Sequence, residues 1–152
     1  MDRRLRSARV GVGCALLAVL IGAAGCGGVK RIPTAGTVTL DGQPLAEGVL
    51  QFIPDVSKGN NLRLGCSGPI SNGRWNLVTS GMERADTGTG APIGWFKVVY
   101  VLPNEGSKAP GASGTAAPKV ASKYRAEDTT PLSIELTDPP PAEGYKIELL
   151  SK

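Results

Sequence analysis

No histidine occurs among the 152 residues, and this absence excludes more functions than any motif in the chain supports. A catalytic thiol usually needs a neighbouring base to form thiolate, and the imidazole that most often serves is missing. Zinc is excluded with it, since three cysteines and no histidine give too few ligands at short spacing. Aromatic residues are also scarce, with two Trp, three Tyr and two Phe. An excess of one charge is lacking too. Residues 1 to 25 hold four of the 17 Lys and Arg but one of the 13 Asp and Glu, so the remainder carries 13 basic against 12 acidic side chains. Phosphate-backbone neutralisation on the scale of nucleic-acid binding is not expected from that balance.

What is present begins at the N-terminus. Arg3, Arg4, Arg6 and Arg9 precede an uncharged stretch from Val10 to Gly25, which ends in Ala23-Ala24-Gly25-Cys26-Gly27-Gly28. A basic start, a short apolar segment forming the signal helix, and small residues make a secretory signal peptide. Small side chains let a peptidase reach the backbone. The thiol of Cys26 then accepts a diacylglyceryl group, as in bacterial lipoproteins, although Ala23 stands where such motifs usually carry Leu. Two alternatives remain open: cleavage after Ala24 to give a soluble secreted protein, and retention of the segment as an anchor. The run is interrupted by Gly11, Gly13 and Gly22 and is short against the ~20 apolar residues of a spanning helix. The expected division is a signal peptide over residues 1 to 25, a tether over 26 to 33 and one domain over 34 to 152. Removing 25 of the 152 residues leaves 127, enough for a single core. The expected location is the cell envelope, outside the cytoplasm, with the membrane as a partner through the lipid.

Cys14 leaves with the leader and Cys26 is the lipid site, so Cys66 has no disulfide partner. The alternation of Leu62, Leu64 and Cys66 turns its sulfur inward, which predicts a buried, inert thiol.

Beyond the tether the apolar period is two. Val38 and Leu40 share a face in a strand over 36 to 40, and Asp41-Gly42 follows as a hairpin turn whose two centres favour positive φ. Strands are predicted next over 48 to 54 with Leu50 and Phe52 inward, and over 62 to 70. Ser71-Asn72-Gly73 is a second turn, leading to 74 to 79 with Trp75 and Leu77 inward. Residues 94 to 102 form the longest apolar strand, with Phe96, Val98, Tyr100 and Leu102 inward and Lys97 outward. Residues 103 to 118, rich in Gly, Ala, Ser and Pro, predict a surface loop. Residues 120 to 126 predict a short helical turn or an extended crossing. Leu132, Ile134 and Leu136 alternate with polar residues, as do Tyr145, Ile147 and Leu149, and Pro139-Pro140-Pro141 makes a stiff connector between them. Seven such strands predict an all-β antiparallel β-sandwich.

Gly36-x-Val38-x-Leu40-Asp41-Gly42-x-Pro44-Leu45-x-x-Gly48-x-Leu50-x-Phe52, with Asn72-Gly73-x-Trp75-x-Leu77, resembles the carboxypeptidase regulatory-like, transthyretin-like domain. Gly90-Ala91-Pro92-x-Gly94-x-Phe96-x-Val98, Lys123-Tyr124 and Thr130-Pro131-Leu132 extend the resemblance to small envelope lipoproteins over most of residues 34 to 150. Many members carry Asp where this chain has Asn72. The resemblance implies a non-catalytic accessory module and no particular ligand.

Other motifs are weaker. Asp86-Thr87-Gly88 matches the aspartic protease tripeptide, but a second copy is needed to share the proton and the chain has one. Gly88-Thr89-Gly90-Ala91-Pro92-Ile93-Gly94 fails the dinucleotide fingerprint because Ile93 takes the third glycine position. Glu127, Asp128 and Asp138 lack calcium-loop spacing. No catalytic residue, metal site or cofactor is therefore expected. Trp95 differs from the other aromatics in sharing a face with Lys97, so Trp95 and Tyr124 are the candidate ligand-binding residues, as a surface stacking platform for envelope polysaccharide. The leading expectation is a structural, adhesion or scaffold module contacting an envelope protein or polysaccharide, and a hydrolase is the remote alternative.

Overall fold

A computed structural model describes residues 29–81, 87–102 and 118–152. The signal segment, Cys14, Cys26, Asp86 and nearly all of the 103 to 118 loop lie outside the described residues. Among the described residues there is no α-helix, and ten strands form a single curled sheet: β1 (Ala35–Leu40), β2 (Gln43–Pro44), β3 (Glu47–Pro54), β4 (Gly65–Ser71), β5 (Arg74–Asn76), β6 (Val78–Ser80), β7 (Gly88–Thr89), β8 (Gly94–Val101), β9 (Ser133–Leu136) and β10 (Tyr145–Leu149). The main path runs β10-β1-β5-β4-β3-β8-β9, while β2 pairs with β1, and β6 pairs with β4 and β7.

Both short turns take the backbone their residues favour. Asp41 and Gly42 have φ of 50° and 81°, and Asn72 and Gly73 have 50° and 75°. Asp and Asn enter this left-handed region more readily than other side-chain-bearing residues, and glycine enters it freely. The Asp41 carboxylate also accepts from the backbone N–H of Ser151 at 3.1 Å, which ties the chain's last residues to the first turn, and the Ser151 side chain first, with that N–H second, holds its pKa below the usual carboxylate value.

Beyond the two-residue strands β2 and β7, which alternation does not predict, the strands differ from expectation in three places. The third begins at Gly65 rather than at 62, because Asn60 diverts the preceding segment: its amide donates to the Trp95 carbonyl at 2.7 Å, and its oxygen accepts from Leu62 N at 3.2 Å. The fourth is divided into β5 and β6. Between them Leu77 turns its backbone aside, donating to Thr34 O and accepting from Gly90 N, both at 2.8 Å. In the register of β4 with β5 and β6, Gly68 lies opposite Leu77, and Pro69, which has no N–H to give a ladder, lies opposite Asn76. Finally, β10 runs parallel to β1, with Gly36 opposite Tyr145 and Leu40 opposite Leu149, whereas all other strand pairs are antiparallel.

The inward faces converge on one core. Val38 of β1, Leu50 and Phe52 of β3, Trp75 of β5, Phe96 and Val98 of β8, Leu136 of β9 and Ile147 of β10 belong to the same buried cluster. Strands from both ends of the path share it, so the sheet bends over on itself and covers its apolar face. Phe52 sits between Trp75 and Phe96, with ring centroids at 5.2 and 6.4 Å in tilted and edge arrangements that aromatic quadrupoles favour. Val120 and Tyr124 join this cluster from the segment around the short 3-10 turn Ser122–Tyr124.

Strand directions separate two ends of the body. One holds the Asp41-Gly42 and Asn72-Gly73 turns together with Leu150 and the C-terminus. The opposite end holds the start of β1, the loop after β3, the start of β8 and the connector after β9. The chain arrives there. Ile32 is 4% exposed and bridges Ala91, exchanging backbone hydrogen bonds of 2.9 and 3.0 Å, so the described part of the expected tether lies docked on the body.

Candidate functional site

Where β3 ends at Pro54, the motif Asp55-Val56-Ser57 starts a short 3-10 turn over Val56–Lys58. Asp55 is 2% exposed and accepts hydrogen bonds from Ser57 N at 3.1 Å, from the Ser57 hydroxyl, and from the Ser133 hydroxyl of β9 at 3.0 Å. These donors favour the carboxylate and hold its pKa below the aspartate norm, with Ser57 the largest cause and burial opposing it. Its backbone N–H also donates to the Trp95 carbonyl at 2.9 Å. Asp55 thus clamps the loop after β3 onto β8 and β9. The sequence reading missed this residue, although an aspartate two positions before a serine at a strand end is a recognisable capping pattern.

The clamp places Lys58 above Trp95, with Nζ 3.7 Å from the ring centroid. At an exposed position such a cation–π contact contributes about 0.5–1 kcal/mol. Lys58 through Leu62 and Ile93 through Trp95 line a cleft of about 430 Å³. Trp95 is half-buried, Ile93 is 55% exposed and Val56 67% exposed. Glu135 of β9 lies opposite Trp95 in the ladder.

The two candidate ligand-binding residues do not act together. Tyr124 is 4% exposed and packed in the core, with Lys123 Nζ 5.1 Å from its ring, so it presents no free face. Trp95 lies on the other side of the sheet with one indole face covered by Lys58. The stacking platform drawn from Trp95 and Tyr124 is therefore corrected: Lys58, 37 positions earlier in the chain, takes the place of Tyr124.

Cys66 is buried at 3% exposure, as its parity predicts. Its sulfur lies 3.5 Å from the Thr79 hydroxyl, which donates its own proton to Gly90 O at 2.6 Å. The thiol is left as the donor in that pair. Burial pushes its pKa up, and the threonine contact only partly opposes this. The arrangement holds the sulfur as an unreactive thiol. A second cleft, of about 340 Å³, runs past Cys66 between Gln51 and Ser80, but brings no acid or base to the sulfur. A third, of about 290 Å³, opens between β9 and β10, lined by Val98, Leu132, Ile134 and Ile147 with Lys146 and Glu148.

Among the described residues no group of three metal-ligating side chains occurs. Asp138 instead pairs with Lys30 at 2.7 Å, fastening the incoming chain to the connector after β9. The indole N–H of Trp75 is buried without a hydrogen-bond partner among the described residues. No family model matches the chain. Comparison with curated proteins and with solved structures likewise finds no match.

Proposed function

We propose that this chain is an exported lipoprotein of the cell envelope, carrying a non-catalytic, transthyretin-like module of the carboxypeptidase regulatory-like kind in a structural or adhesive role. The observation that carries the reading is the N-terminal sequence itself: four arginines, an uncharged segment and small residues placed directly before Cys26. The core supports the sandwich, since β10, β1, β5 and β4 contribute to the same buried cluster as β3, β8 and β9, the composition of two facing layers. The state of Cys66 supports the non-catalytic part, because the one thiol of the body is held protonated and out of solvent.

Two measurements test it. Intact mass of the mature N-terminus, with fatty-acid labelling of the natural chain and of Cys26→Ala, is expected to show acylation only in the former. Equal labelling of both would refute the anchor. Screening the purified protein against hydrolase substrates is expected to give no turnover, and any turnover abolished by Cys66→Ser would refute the passive role.

A further inference from the structure

We propose that the end of the body carrying Val56, Ile93, Trp95 and Lys58 docks onto the surface of the membrane that holds the anchor, so that the module lies against anionic lipid rather than hanging free. The proposal rests on the lipoprotein reading above, and its observations are independent of that reading. Three large hydrophobics are exposed among the described residues, and two of them, Val56 at 67% and Ile93 at 55%, sit at this one end. Trp95 lies half-buried at the same end, lining one cleft with Ile93, and an indole at an apolar–polar boundary is the side chain best suited to a lipid headgroup region. Lys58 lies over that indole, and Arg63 is exposed on the same loop. The one acid of the loop, Asp55, faces inward onto Ser57 and Ser133. The solvent-facing charge of the loop is thus cationic, complementary to anionic headgroups, with Glu135, exposed on β9, the acid opposite Trp95.

The path of the chain points the same way. Ile32 is hydrogen-bonded to Ala91, two residues before Ile93, and Lys30 pairs with Asp138, two residues beyond the Leu136 that lies opposite Gly94. The chain therefore joins the body beside the exposed apolar pair. Cys26 is four residues before Lys30, and fully extended backbone covers at most about 14 Å over that span. An acyl group on Cys26 brings this end to the bilayer, while the two hairpin turns face away. The short apolar contact adds to the lipid anchor in the way two weak membrane signals combine.

The test uses the natural mature protein in vesicles of equal parts phosphatidylcholine and phosphatidylglycerol, with acyl chains brominated to quench tryptophan. Emission is expected to be quenched, and the quenching is expected to vanish in Trp95→Phe. In the double variant Val56→Asp with Ile93→Asp, quenching should fall by at least about fivefold while the protein still sediments with the vesicles. These are surface positions, and an unchanged melting temperature verifies the fold. Unquenched Trp95 in the natural protein, or quenching unaffected in the double variant, overturns the proposal. So does a Trp95 response to soluble envelope polysaccharide with none to vesicles. The intact mass of the same sample separates the two readings. If Cys26 carries no acyl group, the anchor fails, and titrating the soluble protein with free brominated vesicles decides docking alone: quenching upholds it and its absence refutes it.

Discussion

Gly36 is where the parallel pair β1–β10 leaves no room for a side chain. A Cβ built there meets the Tyr145 carbonyl oxygen at 2.0 Å, the Tyr145 carbonyl carbon at 2.9 Å and the Trp75 ring at 2.6 Å. One obstacle is backbone, and the other is an indole only 2% exposed. Neither can rotate away. Restoring ordinary contact to the oxygen requires β10 to retreat by more than about 1 Å, which exceeds what an N–H···O bond near 2.9 Å tolerates. Five paired positions depend on that ladder, and so does the burial of Tyr145, Ile147 and Leu149. Overpacking commonly costs 1–3 kcal/mol, and without a soft direction Gly36→Ala should cost about 3 kcal/mol. Against a urea slope of about 2 kcal/mol per molar, the midpoint falls by roughly 1.5 M. Two controls isolate the cause. Gly42→Ala has nothing within 4 Å but keeps a φ of 81°, so its cost is conformational strain of about 1 kcal/mol. Gly65→Ala also has nothing within 4 Å and no positive φ, so it should be neutral or slightly stabilising. Urea titrations followed by tryptophan emission read all three, because Trp75 becomes exposed on unfolding. A Gly36→Ala midpoint equal to that of Gly65→Ala, or above that of Gly42→Ala, refutes the close approach of β10.

Phe52→Ala removes the ring between Trp75 and Phe96 and should cost about 4 kcal/mol in the same titration; a loss under about 1 kcal/mol would mean the core is not packed around it. Cys66 should resist a thiol reagent in the folded protein at neutral pH and react at once in denaturant, as read by peptide mass; immediate labelling of native protein would contradict its burial. Asp55 has a depressed carboxyl pKa in the folded state, so its stabilisation is present above the unfolded aspartate value and is lost as pH falls through the folded one. Asp55→Asn should therefore lower the melting temperature at neutral pH and flatten its decline below about pH 4; an unchanged acid slope would show that the carboxylate is not the group titrating.

The local grammar of the fold was readable in the chain because it rests on neighbours. Asp41-Gly42 and Asn72-Gly73 specify their turns through φ alone, and alternation at Leu50, Phe52, Ile147 and Leu149 marks the inner face. Direction was not readable. Period-two burial is the same for a strand running either way, so the parallel pairing of β10 with β1 leaves no trace in the residues. Alternation also does not reveal that Val99, two positions from the outward Lys97, is only 4% exposed. The candidate site failed for a related reason. Alternation places Trp95 on the face opposite Phe96, but its neighbour there is set by the Asp55 clamp, a contact between residues 55, 95 and 133 that no local window contains. Tyr124 carries no alternating pattern to reveal that its ring closes the core.

The parallel contact of β1 with β10 also decides how the body answers force. Its first strand starts at the end where the chain arrives, and its last strand finishes at the other. Tension applied between Lys30 and Lys152 pulls these two neighbours past each other lengthwise, so the ladder is loaded in shear rather than peeled open one bond at a time. Rupture under load is governed by the barrier to unfolding, and this arrangement places the whole ladder at that barrier, so a body tugged at its two termini resists as a unit.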